Sequence, residues 1–300
     1  MELTLKKLLP EVRENVSLKK FSTFKIGGEA EFFFIASKKD DLIKSIRLAR
    51  NFKLPFFILG NGSNLLISDR GFKGLVIKLE DRDYRSKGNK IYAKAGISLG
   101  QLVTVALKNN LMGLEWAVGI PGTLGGAIYG NAGAFGKSMS NIIQEVEIYD
   151  IKSRKIKALK NKDCKFDYRE SIFKNNKNLI IISAKLRLKK GNKEKIKQKM
   201  EAYLNHRIET QPLNFPSIGS IFKNPKGKFA AEMIEKCGLK GEKIGGVKIS
   251  EKHANFIINP GKGRARDVVK LINLIKEKVR KKFRVNLKEE ILYLGFKIKD

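Results

Sequence analysis

The chain has 300 residues, 42% of them hydrophobic, and its 62 lysines and arginines against 30 acidic residues give a formal net charge of +32. It lacks an apolar run long enough to span a membrane, a signal peptide and enough cysteines for a disulfide framework, so we expect two globular domains in the cytoplasm without a membrane partner. The cations suit nucleic-acid binding, but they are spread over every segment without a helix-turn-helix, zinc-finger or RNA-recognition signature, so we expect no nucleic-acid partner.

Strand-like and helix-like segments alternate in the first half of the chain. A strand is predicted over residues 31–36, followed by a helix for which Ser37 offers an N-cap, with Asp40 at the capping-box spacing. A second strand is predicted over residues 55–59, and this order indicates a βαβ unit. A further helix is predicted to begin at Ser98, with apolar residues on one face.

The pattern changes in the second half of the chain. Apolar residues recur with a period of two between residues 145 and 188, which predicts antiparallel sheet. The polar run that begins at Gly191 predicts a boundary, so we divide the chain into domains at residues 15–190 and 195–300. The remaining predicted elements are a helix from about Ile196 that ends before Pro212, helices at Phe229–Cys237 and Ala265–Phe283, and strands at Ala254–Ile258 and Ile291–Ile298.

Two glycine-rich segments suggest contact with a ligand. Residues 59–66 follow a predicted strand, and their glycines permit backbone angles that direct successive N–H groups into one concavity, which binds phosphate oxygens. Taken alone, this segment is equally compatible with a hairpin turn. Residues 119–136 contain seven glycines. Their entropic cost is high for a simple connection, so we interpret this segment as backbone that lies against a ligand.

Three polar residues are candidate catalytic residues, although each is also compatible with an ordinary structural role. Arg169 follows a predicted strand and would serve equally as an ion-pair partner. Ser220 follows a glycine and would serve as a turn residue, and Glu290 precedes the last strand and would serve as a solvated charge. The only histidines are His206 and His253, and no metal-binding motif is present, so no metal site is expected.

Taken together, these segments resemble the UDP-N-acetylenolpyruvoylglucosamine reductases (the MurB family), from about residue 17 to residue 296. The length resembles the shorter, type II form of that family. The matching stretches, in the family's order and spacing, are Ser22–Gly28, Leu59–Asp69, Gly119–Gly136, Cys164–Ser171, Gly219–Pro225, His253–Asn259 and Glu289–Gly295. The chain departs from the family's pattern at Phe135, where many relatives have Tyr, and at Leu292, where a basic residue is usual.

The resemblance implies an α+β fold: a two-lobed FAD-binding domain of the vanillyl-alcohol-oxidase type, followed by a C-terminal α+β substrate-binding domain. It implies NADPH-dependent reduction of UDP-N-acetylenolpyruvoylglucosamine through FAD, in peptidoglycan precursor synthesis. Separately from the resemblance, we expect a monomer. Arg169, Ser220 and Glu290 take the positions of the catalytic residues, and Tyr168 and Asn224 take those of substrate contacts. The residues implied to cradle the FAD pyrophosphate are Gly60, Asn61, Gly62, Ser63, Asn64, Leu65, Gly122, Thr123, Gly125 and Gly126.

These residue types suit the implied reaction. The substrate is an enol ether conjugated to a carboxylate, and its reduction requires a hydride at the methylene carbon and a proton at the adjacent carbon. Arg169 is suited to stabilise the enolate-like charge, because a guanidinium is always charged. Ser220 is expected to deliver the proton, and Glu290 to assist in protonated form.

Two other classes of function stay open from the sequence. One is a flavin oxidase on the same scaffold with a different small substrate, which a covalently linked flavin or a fast reaction with oxygen would favour. The other is a basic binding protein without catalysis, which colourless protein that binds nucleic acid at physiological salt would favour.

Overall fold

The structure, a computed structural model, describes residues 2–296 and their side chains from Leu5 onward. The chain forms two lobes and a C-terminal part. The two lobes share one large hydrophobic core, and a second core lies in the C-terminal part. The elements of the first lobe are α1 (Glu2–Leu8), β1 (Arg13–Ser17), β2 (Glu29–Ala36), α2 (Lys39–Asn51), β3 (Phe56–Leu59), β4 (Leu65–Ile67) and β5 (Phe72–Leu79).

The sheet of the first lobe has the strand order β1-β2-β5-β3. Strands β2 and β3 both run parallel to β5, so the predicted βαβ unit is confirmed, with β5 inserted between its two strands. The predicted N-cap at Ser37 is wrong by one residue. Helix α2 begins at Lys39, and the Asp41 carboxylate accepts the N–H of Lys38 at 3.1 Å, so Lys38 is the capping position.

Strand β2 is buried on both faces, which explains its run of phenylalanines. Phe32 and Phe34 belong to the core shared by the two lobes, whereas Phe33 packs in a smaller core that includes Leu65 and Ile67 of β4. Successive side chains of a strand point to opposite faces, so one apolar run fills both cores. One face of β2 thus packs against the second lobe, and the other face packs against β4.

The second lobe is built on a five-stranded antiparallel sheet of order β12-β11-β13-β7-β6, as the alternating pattern predicts. Its elements are β6 (Tyr84–Lys87), β7 (Lys90–Lys94), α3 (Leu99–Lys108), β8 (Leu111–Met112), α4 (Leu124–Tyr129), β9 (Gly133–Ala134), β10 (Lys137–Ser138), β11 (Ile143–Asp150), β12 (Lys155–Lys160), α5 (Ile172–Asn175), β13 (Leu179–Arg187), β14 (Lys189–Lys190) and α6 (Lys193–Thr210). Helix α3 begins where predicted, and Ser98 Oγ accepts the N–H of Gln101 at 3.1 Å.

Helix α6 packs with the second lobe, because Met200 and Tyr203 lie against the core that the two lobes share. Its N-terminal Ile196 is also buried. The division predicted from the sequence places this helix in the C-terminal domain. Its contacts instead favour a division after Thr210.

The C-terminal part is a four-stranded antiparallel sheet, in the order β15-β18-β17-β16, with two helices. Its elements are β15 (Ser217–Ser220), α7 (Ala230–Lys236), β16 (Lys243–Ile244), β17 (Val247–Ile249), β18 (Phe256–Ile258), α8 (Ala265–Phe283) and β19 (Leu292–Leu294). The strands predicted at 254–258 and 291–298 are thus shorter than expected, and residues 297 and 298 lie outside the described residues. None of the described helices is both long and apolar enough to cross a bilayer.

A strand pairing and a helix cap are among the contacts that join the first lobe to the C-terminal part. Strand β19 pairs in parallel with β4, so that Leu292 lies opposite Leu65. The carboxylate of Asp69 accepts the N–H groups of Ala265 and Arg266 at 2.9 and 3.1 Å and so caps helix α8. These connections carry the end of the chain back to the glycine turn that precedes β4.

Candidate functional site

The turn between β3 and β4 presents a row of free backbone donors. Among the described residues, none accepts a hydrogen bond from the N–H groups of residues 61–64. Below the turn, the amino group of Lys78 donates to Gly60 O at 2.8 Å and lies 3.5 Å from Asn61 Oδ1. Lys78 thus binds oxygen atoms of the turn, whereas the N–H groups of the turn stay available to an anionic ligand.

The second glycine segment lies against this turn. Asn61 Nδ2 donates to Pro121 O at 3.1 Å, and a Cβ added at Gly60 would lie 2.6 Å from Thr123 Oγ1. Thr123 caps helix α4, since its hydroxyl accepts the N–H of Gly126 at 3.3 Å. The two predicted cofactor-binding segments are therefore brought together.

Glycine occupies these positions of the two segments for different physical reasons. Gly62 has φ +61°, and an added Cβ would lie 2.4 Å from Phe21 O, so the fold itself requires glycine there. Gly125 packs against Ala95, with 2.9 Å between an added Cβ and the alanine Cβ. At Gly126 the φ angle is negative, and the only atom near an added Cβ is Thr123 Oγ1 at 3.5 Å. The protein alone does not require glycine at 126, which points to a ligand.

Arg169 lies in a tight turn of the second lobe. Asp167 and Glu170 form an isolated bridge around it, and Arg169 has φ +57°. The turn comes after strand β12, as the sequence predicted, with a short 3-10 helix at Asn161–Cys164 between them. The turn is tied to the lobe by Asn131 Nδ2, which donates to Asp167 O at 2.8 Å. The arginine is thus held in an unusual backbone conformation at a fixed place.

The Arg169 side chain reaches across to the C-terminal part. Its Nε lies 2.6 Å from Glu290 Oε1, an ion pair in which the N–H is not aligned for a hydrogen bond, and its Nη1 donates to Gly133 O at 3.0 Å. The backbone of Glu290 is held from two sides: Asn64 Nδ2 donates to its carbonyl at 3.1 Å, and its own N–H donates to Ile221 O at 2.8 Å. The glycine turn, Arg169 and Glu290 therefore form one connected site.

Ser220 directly precedes Ile221, whose carbonyl accepts the N–H of Glu290. It ends β15 after Gly219, whose φ of +75° accompanies a shift of register between Ser217 and Ser220. The main chain beyond it is fixed, because Ile221 N–H donates to Asn255 O at 2.9 Å. Within the described part of the chain, the Ser220 hydroxyl makes no hydrogen bond, so it is available to a ligand.

The two residues predicted to contact substrate meet in the structure. Tyr168, with half of its surface exposed, accepts the backbone N–H of Asn224 on its hydroxyl at 3.2 Å. Asn224 Oδ1 accepts the N–H of Ala230 at 3.0 Å, and the amide nitrogen of Asn224 has no partner among the described residues, so it can donate to a ligand. Both residues thus lie close to Arg169, whose guanidinium is 5.6 Å from the Tyr168 ring.

Two buried cations of the site were missed from the sequence. Lys78 interrupts the apolar run of β5, and a charged residue at such a position was the available signal. Arg207, on α6, donates to Trp116 O at 3.2 Å and lies 5.4 Å from the Phe135 ring. Burial and the nearby charge of Arg169 lower the pKa of Arg207, and its Nε has no hydrogen-bond partner among the described residues. A buried cation that has no acidic partner among the described residues favours an anionic ligand.

The two histidines have local contacts. His253 accepts the N–H of Asn255 on Nδ1 at 3.3 Å, and burial lowers its pKa. His206 lies edge-on to the Phe135 ring at 5.5 Å. In the part of the chain that the structure describes, no three His, Cys, Asp or Glu side chains cluster in a way that would hold a metal ion.

Comparison with protein families gives two matches. Residues 30–157 match the family described as FAD binding domain. Residues 211–294 match the family described as UDP-N-acetylenolpyruvoylglucosamine reductase, C-terminal domain. The two matches cover the two lobes in part and most of the C-terminal part.

Comparison with individual proteins extends over almost the whole chain. The UDP-N-acetylenolpyruvoylglucosamine reductase of Caldanaerobacter subterraneus is 47% identical, over 98% of this chain and 97% of that protein. The reductase of the same name from Anoxybacillus flavithermus is 42% identical, over 95% of each chain. The crystal structure of UDP-N-acetylenolpyruvylglucosamine reductase (MurB) from Thermus caldophilus superposes with a TM-score of 0.81 at 33% identity, over 95% of this chain and all of that one. The predicted α+β fold class is confirmed.

Proposed function

Because this chain belongs to the UDP-N-acetylenolpyruvoylglucosamine reductase family, we propose that it reduces UDP-N-acetylenolpyruvoylglucosamine to UDP-N-acetylmuramate with NADPH. It is an FAD-dependent oxidoreductase of peptidoglycan precursor synthesis. We further propose that it acts as a monomer in the cytoplasm. One observation carries the proposal: Arg169, Glu290 and the segment of Ser220, from distant parts of the chain, meet beside the free donors of the glycine turn.

The residues of the two glycine segments fit the pyrophosphate of FAD. The N–H groups of residues 61–64 would donate to phosphate oxygens, and Gly126 would leave room for them to approach its backbone. Lys78 supports the turn from below, and Arg207 adds a positive charge near Arg169. FAD, when bound, supplies the hydride chemistry.

The protein's own residues would serve the substrate. Arg169 would face the substrate carboxylate and stabilise the enolate-like charge that builds on it. Ser220 would give its hydroxyl proton to the adjacent carbon, for which a short, aimed hydrogen bond suffices because that carbon is strongly basic. Glu290 lies against Arg169 as its counter-ion. Glu290 would therefore carry a proton for the substrate only after the substrate carboxylate has replaced it beside Arg169.

The substrate's other end would lie along Tyr168 and Asn224. The free amide nitrogen of Asn224 and the exposed face of Tyr168 offer a donor and an aromatic surface to a nucleotide sugar. The net charge of +32 would speed the capture of both anionic nucleotides.

The test is whether the purified protein carries out both half-reactions. It is expected to be yellow, to release FAD on denaturation, to lose its flavin colour with NADPH and to recover it on addition of UDP-N-acetylenolpyruvoylglucosamine. Reoxidation by oxygen alone, at the rate seen with the enol ether, would support a flavin oxidase with another substrate. Colourless protein that binds nucleic acid at physiological salt would contradict the proposal.

Gly126→Val is expected to give folded protein that retains little flavin. A Cβ atom at this position finds space in the protein itself, and the side chain would occupy the approach to the backbone. If the blocked approach costs the phosphates one charge-assisted hydrogen bond to this segment, about 1.5–3 kcal/mol, binding weakens by about 10- to 150-fold. The ratio of flavin to protein absorbance after gel filtration measures the loss.

The matched control is Gly100→Val, at another helical glycine with no atom within 4 Å of an added Cβ, which should keep its flavin. Gly62→Val is less informative, since its positive φ and its contact with Phe21 O would strain the fold. Normal flavin content in Gly126→Val would rule out the cofactor role of this segment.

A further inference from the structure

Three consecutive side chains of the Arg169 turn contact three different points of the C-terminal part. The Tyr168 hydroxyl accepts the N–H of Asn224, Arg169 pairs with Glu290, and Glu170 pairs with Lys223. The first two contacts involve residues already assigned to substrate and catalysis. The third pair, Glu170 and Lys223, has no role in the reaction as described above.

The position of this pair is specific. Glu170 directly follows Arg169, and Lys223 is three residues after Ser220, with its N–H bonded to Lys288 O at 2.9 Å. The Lys223 side chain is 20% exposed and that of Glu170 is 37% exposed, so the pair is partly screened from water. An ion pair between these two segments restrains the distance between a proposed enolate-stabilising residue and a proposed proton donor.

A second cation strengthens the second-lobe side of this contact. Lys174 donates to Arg169 O at 2.6 Å and lies 4.0 Å from Glu170 Oε1, and its side chain is only 14% exposed. Burial lowers the pKa of Lys174. Glu170 thus lies between two lysines: Lys174 holds it to its own turn, and Lys223 connects it to the C-terminal part.

We propose that Glu170 and Lys223 are positioning residues. Their ion pair, here called the charge latch, holds the Arg169 turn against the Ser220 segment, so that the side chains of Arg169 and Ser220 contact the same substrate molecule. The latch rests on the proposed function, since it serves residues assigned there. A misplacement of about 1 Å between reacting groups can cost about 100-fold in rate. A partly screened ion pair can therefore matter for the reaction while it contributes little to stability.

The experiment compares Glu170→Gln, Lys223→Gln and the double variant with the wild-type holoenzyme. Stopped-flow absorbance follows reduction of the flavin by NADPH and its reoxidation by the enolpyruvyl substrate. We expect each single variant to slow reoxidation by about 10- to 100-fold and to leave flavin content and reduction unchanged. The double variant should be no slower than the singles, because both remove one interaction. The loss should fall on kcat more than on KM, and Lys223→Arg should restore most of the rate.

Glu235→Gln is the matched control, because it breaks an exposed ion pair with Lys240 at 2.6 Å that lies within the C-terminal part, and wild-type rates are expected. Wild-type reoxidation in both latch variants would overturn the latch, and so would additive losses. A raised KM in Lys223→Gln alone would make Lys223 a direct substrate ligand instead. Wild-type protein that fails to reoxidise with the substrate would contradict the proposed function, which separates the two failures.

Discussion

Ser220→Ala is expected to leave reduction of the flavin by NADPH almost intact and to slow reoxidation by UDP-N-acetylenolpyruvoylglucosamine by several orders of magnitude. The loss should exceed the roughly 10²–10⁴-fold typical of a general acid if no water replaces the hydroxyl. The reason is geometric: the Ser220 hydroxyl makes no hydrogen bond within the described part of the chain, and its segment is fixed beside Glu290. Stopped-flow absorbance separates the two steps without a steady-state model.

Two further variants sharpen this prediction. Ser217→Ala, on the same strand, should behave like the wild type in both steps, which controls for a change in β15 itself. Ser220→Cys should recover part of the reoxidation rate, because a thiol is a stronger acid, although its larger sulfur can displace the substrate. If Ser220→Ala instead slowed reduction by NADPH and left reoxidation unaffected, the assignment of Ser220 would be wrong.

The sequence predicted elements whose signal is local. Helix α8 has the predicted bounds, Ala265–Phe283, because an amphipathic pattern of that length has few alternatives. The cap at Ser98 is likewise a short-range interaction. The placement of α6 was missed because its apolar residues show only that one face is buried. The pattern does not show which core receives that face.

The candidate site was predicted unevenly for the same reason. Arg169, Ser220 and Glu290 came from a resemblance of spaced motifs, and their roles stay predictions, although the structure brings their segments together. The contact of Asn64 with the Glu290 carbonyl crosses 226 residues and has no signal in a single sequence. Arg207 was missed because an arginine on a helix ordinarily faces water, and its burial comes from long-range contacts such as the hydrogen bond to Trp116 O.

Arg169→Lys is expected to slow the same half-reaction as Ser220→Ala, by about 10²–10³-fold, and to leave reduction by NADPH nearly intact. The guanidinium serves Gly133 O and Glu290 through different nitrogens. A lysine has one nitrogen and cannot hold both contacts while it faces a carboxylate. Arg154→Lys is the matched control, since Arg154 is an exposed arginine with a similar φ of +56°, and it should show no change.

Glu290→Gln should also slow reoxidation selectively, because the substitution removes the charge and the exchangeable proton but keeps the shape. The glutamine should stay in place, since the main chain of residue 290 is held by Asn64 and by the Ile221 carbonyl. Glu289→Gln provides the comparison: Glu289 is adjacent but pairs with Lys276 at 2.9 Å, away from Arg169, so wild-type kinetics are expected. If Arg169→Lys and Glu290→Gln instead slowed reduction by NADPH as much as reoxidation, the pair would act on the flavin or on NADPH. The assignment of both residues to the substrate's enolate would then fail.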